Sequence, residues 1–515
     1  MNNNMNTEDA VKAVRAALDK SFQSDELAKS GITTATGLNA YDLRGAALLQ
    51  IPIITPLRDK LNRTRRASPG LASHWKVIRS MVGSGIDSMG YVPEGQRSGV
   101  KTVNTFDAFS TYTTIGEEGS VSDQAVLAQL ADTDLLATDN LLTLWKTMQK
   151  EEISILSGNR SIKLGTPATP VTTAPVVAGA TLAATTYYAA VVALTNEGFQ
   201  VASLANGVPT ATTVTGADGQ TYTVNGGSSN KSAITAGQAV AGGSGLGLAV
   251  TPIPGAVGYA WYVGTVGAAA SLYLQAITTL NSVLLTTPIT TATQVASAIT
   301  QDSSYNDGTQ AGSNPVAAYD GLMTTSMISG NGAYFYALPT GTAGTGTSLT
   351  ATNAGGCNEV DNLILSMWNT NRVQVSALYM SANTLRVVTK VMLTGSTGTL
   401  LHIYSDADAN RTALVGGGRI KAYSSPVGSP YGGDDIAMMI HPNLPDGVIV
   451  GWAAELPIWF RNNETPAVAE ILTRQDYFGI EWPKRTRKTE YGVYTDQCLA
   501  VYAPFAMGVI CNIAV

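Results

Sequence analysis

The chain has 515 residues, of which 44% are hydrophobic and only 13% are charged. Globular domains are usually about a quarter charged, and the Gly, Thr, Ser and Ala that fill the gap favour a β-rich protein with a large surface. The net charge of −6 argues against a protein built for sequence-specific DNA binding, although a small basic patch is compatible with it.

The three cysteines, Cys357, Cys498 and Cys511, are odd in number and do not cluster. We therefore expect buried, reduced thiols rather than a disulfide framework or a zinc site. The sequence shows no secretory signal and no run of about 18 apolar residues that could span a membrane. Synthesis in a reducing cytoplasm is expected.

Residues 7–22 predict a short amphipathic helix with Val11, Val14 and Leu18 on one face. Because isolated helices of this length are marginal, it should dock on its own domain or on a neighbouring subunit.

A proline-containing basic segment follows. Pro52 and Pro56 favour extended chain. The cations after them predict a solvated or intersubunit face, with a patch facing nucleic acid as the alternative. They are Arg58, Lys60, Arg63, Arg65 and Arg66.

Residues 73–115 predict two long extended arms around the turn-rich tip "GSGIDSMGYVPEGQRSG". A hairpin this long with so few large apolar residues cannot bury itself, so it should lie on another surface.

A long helix is predicted over about 132–156, capped by Asp132 or Thr133 and stopped by Gly158. One stripe at helical spacing indicates one face packed against a sheet or another helix. The stripe comprises Leu141, Trp145, Met148 and Ile155.

Residues 166–313 differ from both flanks because they carry almost no charge. The stretches "YYAAVVALTNEG" and "PGAVGYAWYVG" predict strands of a β-sandwich, with low-complexity coil as the alternative. They resemble fibronectin type III and immunoglobulin-like modules. We therefore interpret the segment as an insertion. An insertion costs little free energy, because closing a loop costs only about 0.6 kcal/mol more for each doubling of the loop length.

Helices return after residue 313. The stretch "CNEVDNLILSMWNTN" predicts one apolar helical face, and Ser381 caps a second predicted helix. Strands dominate from about residue 398 to the end. The apolar face comprises Val360, Leu363, Ile364, Met367 and Trp368.

Catalytic motifs are missing from the sequence, which has no GxxxxGK[ST], GxSxG or HExxH. We expect His74, His402 and His441 to be structural or exposed. Asp434 and Asp435 precede His441 in a Gly-rich turn, so metal binding is an alternative to a solvated loop.

Two further clusters of charged residues are predicted to lie at exposed or intersubunit positions. Glu117 and Glu118 are expected to pair with a neighbour or to be exposed. The "KRTRK" stretch between two predicted strands is expected to be a solvated or intersubunit face. Its cations are Lys484, Arg485, Arg487 and Lys488.

The order of these elements resembles the major capsid protein of tailed double-stranded DNA bacteriophages, the Hong Kong ninety-seven-type capsid fold. The resemblance runs through the arm, the hairpin, "EEGSVSD", the long helix ending "EEISILSGN", and the tail "AVYAPFAMGVICNIAV". It implies an α+β fold with an N-arm, an E-loop, a P-domain with a spine helix and an A-domain, plus the inserted all-β sandwich.

Carried over by position, the resemblance implies these boundaries: an arm at 1–50, a P-domain at 51–72 and 116–165, an E-loop at 73–115, the insert at 166–313, an A-domain at 314–450 and returning strands at 451–515. The intersubunit residues it implies are Tyr91, Pro93, Glu94, Arg97, Glu117, Glu118, Asp434 and Asp435.

The implied function is non-enzymatic self-assembly into hexamers and pentamers of an icosahedral head. The head would assemble in the host bacterial cytoplasm and would enclose DNA through weak, non-specific contacts. Implied partners are a separate scaffolding protein, because the arm is short, together with a portal and decoration proteins. No cofactor, metal or membrane is implied. Some relatives cross-link a hairpin Lys to an Asn, but no motif pairs Lys76 or Lys101 with Asn512, so cross-linking is not predicted.

Two other function classes stay open. The insert is compatible with an adhesin or glycan-binding surface protein. A polysaccharide-active enzyme would need a pair of carboxylates, for which Asp434 and Asp435 are the candidates.

Overall fold

A computed structural model describes residues 12, 52–66, 70–83, 89–128, 134–352, 355–394, 420, 422–427, 435–454, 456 and 467–515. The chain divides into two compact units. One comprises Met1–Pro52 and Gln124–Thr138, and the other comprises Ile53–Asp123 and Asp139–Val515. Except for residue 12, the helix predicted at 7–22 lies outside the described residues, as does His402.

Seven α-helices occur in the described ranges. Asp134 caps the longest, since its Oδ1 accepts the backbone N–H groups of Leu136 and Ala137 at 3.1 Å. The predicted caps Asp132 and Thr133 lie outside the described residues. The helices are α1 (Pro56–Lys60), α2 (Asp123–Leu127), α3 (Leu135–Ser157), α4 (Asn196–Val201), α5 (Leu322–Met327), α6 (Asn358–Asn371) and α7 (Ala382–Thr394).

A four-stranded sheet joins segments from the two ends of the second unit. Its outer strand β1 runs parallel to β19, and the other neighbours are antiparallel. The strands lie in the order β1 (Arg63–Arg65), β19 (Ala469–Glu481), β20 (Lys488–Val501) and β4 (Thr113–Ser122).

Helix α3 contacts this sheet through short side chains. Thr143 and Thr147 are buried, whereas Leu141 of the predicted stripe is 44% exposed. The predicted stripe is wrong at Leu141, whereas Trp145 and Met148 are half-buried and Ile155 is fully buried. The cause is the close approach of helix and strand: a Cβ added to Gly119 of β4 would lie 2.8 Å from Thr143 Oγ1.

A separate two-stranded hairpin precedes β4. Strands β2 (Ala72–Val82) and β3 (Thr102–Thr111) pair antiparallel, with Trp75 opposite Ala108 and a register shift after Ile78. Nearly all of β3 is exposed.

The largest core lies around a six-stranded mixed sheet and includes the apolar face of α6. Val360, Leu363, Ile364 and Met367 of that face are buried, as predicted, and Trp368 is half-buried. Ser381 accepts the N–H of Thr384 at the start of α7, as predicted for a cap. The strand order is β14 (Tyr334–Ala337), β21 (Met507–Cys511), β18 (Ile449–Trp452), β15 (Ala377–Met380), β17 (Asp435–Ile440) and β16 (Ala422–Ser424).

Residues 166–313 form two further sheets and a small hairpin. The four-stranded sheet is buried on both faces: Val191 and Trp261 belong to one core, and Val192 and Tyr262 to another. The first core also includes Leu248 of the three-stranded sheet. In sheet order, the strands are β12 (Tyr273–Thr278), β11 (Gly258–Gly264), β6 (Thr185–Leu194) and β9 (Gln238–Val240); β13 (Ser282–Leu285), β10 (Leu246–Ala249) and β5 (Val171–Thr173); and the pair β7 (Thr212–Thr215) and β8 (Thr221–Val224).

This segment belongs to the same compact unit as its flanks, and buried amides join them. Asn196 Nδ2 donates to Ser157 Oγ at 3.0 Å. The backbone N–H of Asn281 donates to Asn512 Oδ1 at 2.9 Å. These contacts fix the segment against α3 and the last strand of the six-stranded sheet.

Three sequence expectations have clear outcomes. The fold is a mixture of helices and sheets, and all three cysteines are buried and free, as predicted. The expectation of extended chain at Pro56 is wrong, because Pro56 begins helix α1. Proline is tolerated at a first helical position, where its missing N–H would have no intrahelical partner.

Candidate assembly surfaces

Two adjacent carboxylates of α3, Glu151 and Glu152, are completely buried. Buried charge is costly unless it is paired and hydrogen-bonded, so their partners determine whether this part of the fold is stable. We call these two residues and the side chains that bind them the carboxylate hub.

Glu151 binds two guanidinium groups and a phenol. Arg63 Nη1 lies 2.5 Å from Oε1, and Arg58 Nε lies 3.0 Å from Oε2. The hydroxyl of Tyr477 also donates to Oε2. Burial, then the charge of Glu151, raises the pKa of Tyr477. Burial opposes the charge of Arg63, but hydrogen bonding to Asp476 and attraction to Glu151 outweigh it and raise its pKa.

Glu152 accepts hydrogen bonds from backbone and imidazole. Its two oxygens accept the N–H groups of Leu57 and Arg58 at 2.9 and 2.8 Å, which satisfies the first turn of α1. His441 Nε2 lies 2.7 Å from Oε1, and Nδ1 accepts the N–H of Asn443. Because Nδ1 is an acceptor, the proton resides on Nε2 and points at Glu152.

Arg58 and Arg63 depart from the expected solvated or intersubunit basic face, because both bind Glu151 of the hub. The side chains of Arg58 and Arg63 are only 17% and 19% exposed and serve an internal role. Arg65 and Arg66 are exposed, and Arg66 lies 3.9 Å from Glu470. Burial lowers the pKa of Lys60.

The hairpin of β2 and β3 is the most exposed apolar surface in the described part of the chain. Alternation and register place four residues on one of its faces. They are Ile78 (68% exposed), Met81 (62%), Val103 (41%) and Phe109 (57%).

The predicted intersubunit residues of the hairpin lie between its strands. Tyr91 is 94% exposed, and Pro93, Glu94 and Arg97 are also exposed. The N–H of Gln96 donates to the carbonyl of Pro93, forming a local turn.

The base of the hairpin is anchored to the four-stranded sheet. Trp75 packs edge-on against Tyr502 at 5.3 Å between ring centroids. Both contact the small core of Tyr112, Leu472, Cys498 and Ala500. The hairpin is thus fixed at one end and exposed along the rest of its described length.

The other predicted site residues are dispersed. Glu117 pairs with Lys150, and Glu118 accepts the hydroxyl of Tyr494, so both have partners within the chain. Asp434 lies outside the described residues, and Asp435 is exposed at the start of β17. His441 follows the far end of that strand and binds Glu152 instead.

The predicted "KRTRK" stretch forms the tip of the hairpin between β19 and β20, and residues 481–488 are all exposed. Lys484 Nζ lies 3.2 Å from Asp123. Arg485, Arg487 and Lys488 have no carboxylate partner among the described residues.

Asn512 is committed to internal hydrogen bonds. Its Nδ2 donates to the carbonyl of Leu338 at 2.7 Å, and its Oδ1 accepts from Asn281. It is 5% exposed with a φ of 62°. This amide is therefore inaccessible to a lysine of another subunit in the conformation observed.

Among the described residues, no group of three or more His, Cys, Asp or Glu is arranged to hold a metal ion. No helix in the same ranges is long and apolar enough to cross a membrane.

Sequence reasoning missed the carboxylate hub. The available signal was the adjacent pair Glu151 and Glu152 near the end of a helix, together with a segment that carries five cations but only one acidic residue, Asp59. Helical periodicity instead predicted that the helix packs through its apolar stripe.

No protein-family model matches the chain, and no curated protein sequence matches it. Similar solved structures include the capsid of Myoviridae phage XM1, with 9% identity, a TM-score of 0.39 and coverage of 94% of this chain and 100% of the other. The capsid of a native GTA particle has 10% identity, a TM-score of 0.41 and coverage of 94% and 100%. The holo-SrpI encapsulin complex from Synechococcus elongatus has 8% identity, a TM-score of 0.39 and coverage of 93% and 95%.

Proposed function

We propose that the chain is the structural subunit of a closed protein shell, the major capsid protein of a tailed double-stranded DNA bacteriophage. It self-associates into hexamers and pentamers of an icosahedral head that encloses the genome. The observation that carries this proposal is the β2–β3 hairpin, which is anchored at its base and exposes apolar side chains along its length.

An isolated two-stranded hairpin is marginally stable in water, and an exposed apolar sheet is a liability for a monomer. A second copy of the chain relieves both problems by covering the hairpin face of Ile78, Met81, Val103 and Phe109. Such a contact joins two different surfaces, and heterologous contacts close into rings.

The carboxylate hub supports the same function by stiffening the subunit. It joins α1, α3, β19 and the turn after β17 through buried charge-assisted hydrogen bonds. A rigid subunit lets many modest contacts act together across a lattice.

The remaining parts of the proposal follow the sequence resemblance. The predicted A-domain loops meet at the ring axes, and residues 166–313 lie on the outside of the shell. A separate scaffolding protein, a portal and decoration proteins are the partners. The buried amides that tie residues 166–313 to their flanks favour this fixed position over a freely hinged adhesin module.

The test is assembly of the full chain, followed by negative-stain electron microscopy and sedimentation velocity. The variant Ile78→Ser/Phe109→Ser removes two large exposed side chains from the hairpin face. We expect its free energy of unfolding to change by less than about 0.5 kcal/mol per site, as is usual at exposed positions, while the yield of closed shells falls at least about ten-fold.

The matched control is Val176→Ser/Val266→Ser, since these side chains are 88% and 55% exposed but lie outside the hairpin. It should assemble normally. Wild-type shell yield from the hairpin variant would contradict the proposal. So would a wild-type chain that gives only monomers or fibres when co-expressed with its scaffolding protein.

A further inference from the structure

The tip between β19 and β20 is an exposed cationic loop on a rigid support. It comprises residues 482–488, and we call it the cationic tip. Its backbone is fixed on both sides: the N–H of Trp482 donates to the carbonyl of Glu490 at 3.0 Å, and the N–H of Asp123 donates to the carbonyl of Arg487 at 3.1 Å. These two bonds hold the ends of the loop in place.

Several cations elsewhere in the described ranges are paired with a carboxylate of the chain. Arg58, Arg63, Lys76, Lys150 and Arg474 each contact a carboxylate. At the cationic tip only Lys484 has such a partner. The three remaining cations, Arg485, Arg487 and Lys488, have no carboxylate partner within the described residues, and they fall within four consecutive positions of a chain whose net charge is −6.

An aromatic side chain accompanies these charges. Trp482 is 40% exposed at the start of the tip. Arginine matches phosphate oxygens in a two-pronged geometry, and an exposed indole offers a surface on which a nucleobase can stack. Cations beside an exposed indole match single-stranded nucleic acid, in which phosphates and the faces of bases lie next to each other.

We propose that the cationic tip binds the phosphate backbone of nucleic acid without sequence preference. Arg485, Arg487 and Lys488 contact phosphates, and Trp482 adds stacking where bases are unpaired. Nucleic-acid binding is inferred from the residues of the tip, whereas the identification of the ligand as the packaged genome rests on the proposed function.

The affinity should be modest and strongly dependent on salt. Three cations release few counterions, and the net negative charge of the chain opposes the approach of DNA. We expect dissociation constants on the order of micromolar at low salt, typical of non-specific contacts.

The test is fluorescence anisotropy with the unassembled full chain and two labelled probes, a thymidine homopolymer and a mixed-sequence duplex. In Arg485→Gln/Arg487→Gln/Lys488→Gln the affinity for both probes should fall roughly ten-fold or more, and the salt slope should decrease by about 2 to 3. Trp482→Ala should weaken binding of the single strand more than that of the duplex.

The matched control, Arg97→Gln/Lys146→Gln/Arg386→Gln, removes the same charge from three exposed and scattered positions. It should retain wild-type binding. No binding by the wild type, or equal losses in both triple variants, would overturn the inference.

Shell yield is measured separately, so that the two proposals can fail independently. If the tip variant loses shells but binds both probes normally, the tip contacts another copy of the chain and the nucleic-acid inference is wrong. If it forms shells but loses DNA binding, the inference holds.

Discussion

His441 and Glu152 are separated by 289 positions in the sequence, yet Nε2 of the imidazole donates to the carboxylate at 2.7 Å in a completely buried site. The same carboxylate accepts the first two N–H groups of α1. The side chain of Glu152 on α3 thus holds both α1 and the turn that contains His441.

The first prediction concerns Glu152. In Glu152→Ala two backbone N–H groups and His441 lose their acceptor, so the free energy of unfolding should fall by about 3–5 kcal/mol, as measured in urea. Glu152→Gln keeps an acceptor oxygen and should lose less. Glu94→Ala, at an exposed position, serves as the control and should stay within about 0.5 kcal/mol of wild type.

The second prediction concerns the pair formed by Arg63 and Glu151. Arg63→Met should cost about 3 kcal/mol, because Glu151 keeps only Arg58 and Tyr477. In a double-mutant cycle with Glu151→Met, the double variant should lose less than the sum of the singles by about 1–3 kcal/mol. Strict additivity would show that the two side chains are not coupled.

The third prediction concerns alkaline pH. Burial raises the pKa of the Cys357, Cys498 and Cys511 thiols to about 12. In the unfolded chain thiols ionise near about pH 8.5. The folded state therefore keeps its protons where the unfolded state loses them, and stability should be full below about pH 8.5 and should decline as pH rises toward about 12.

Urea titrations at pH 8, 8.5 and 9 measure this decline, because tyrosines of the unfolded chain ionise at a higher pH, near about 10. Cys498→Ala should reduce the slope in this range, and native thiols should resist alkylation until urea is added. A slope that is the same in the variant and the wild type would show that the thiol does not contribute.

The fourth prediction concerns the base of the hairpin. Trp75→Ala removes the ring packed against Tyr502 and should cost about 2 kcal/mol, below the loss at a fully buried position because Trp75 is only half-buried. Limited proteolysis between residues 72 and 111 should accelerate. Trp482→Ala, at an exposed position, should leave both measurements near wild type; a matching change there would indicate a general effect of tryptophan loss.

Local patterns predicted much of the fold. Spacing and composition were enough to predict four features. They are the cap at Ser381, the apolar face of α6, the long hairpin, and the strands containing "YYAAVVAL" and "GYAWYVG". These features depend on neighbours in sequence, which periodicity captures.

The failures share one physical cause, which is tertiary contact between distant segments. Leu141 is exposed because Gly119 brings β4 close to Thr143, a relationship that no window of sequence contains. Arg58 and Arg63 are internal because Glu151 is buried beside them. The predicted domain boundaries and intersubunit residues remain predictions, and Asp434 lies outside the described residues.

The carboxylate hub also bears on how the protein is made. Leu57 and Arg58 emerge from the ribosome early, Glu151 and Glu152 follow, and His441 and Tyr477 come near the end of translation. Until the last of these appears, two carboxylates destined for the interior must stay hydrated, so the nascent chain cannot close around them. We therefore expect a chain that stops before residue 441 to leave the pair without two of its hydrogen-bond donors, the imidazole of His441 and the phenol of Tyr477, and to remain open to proteases.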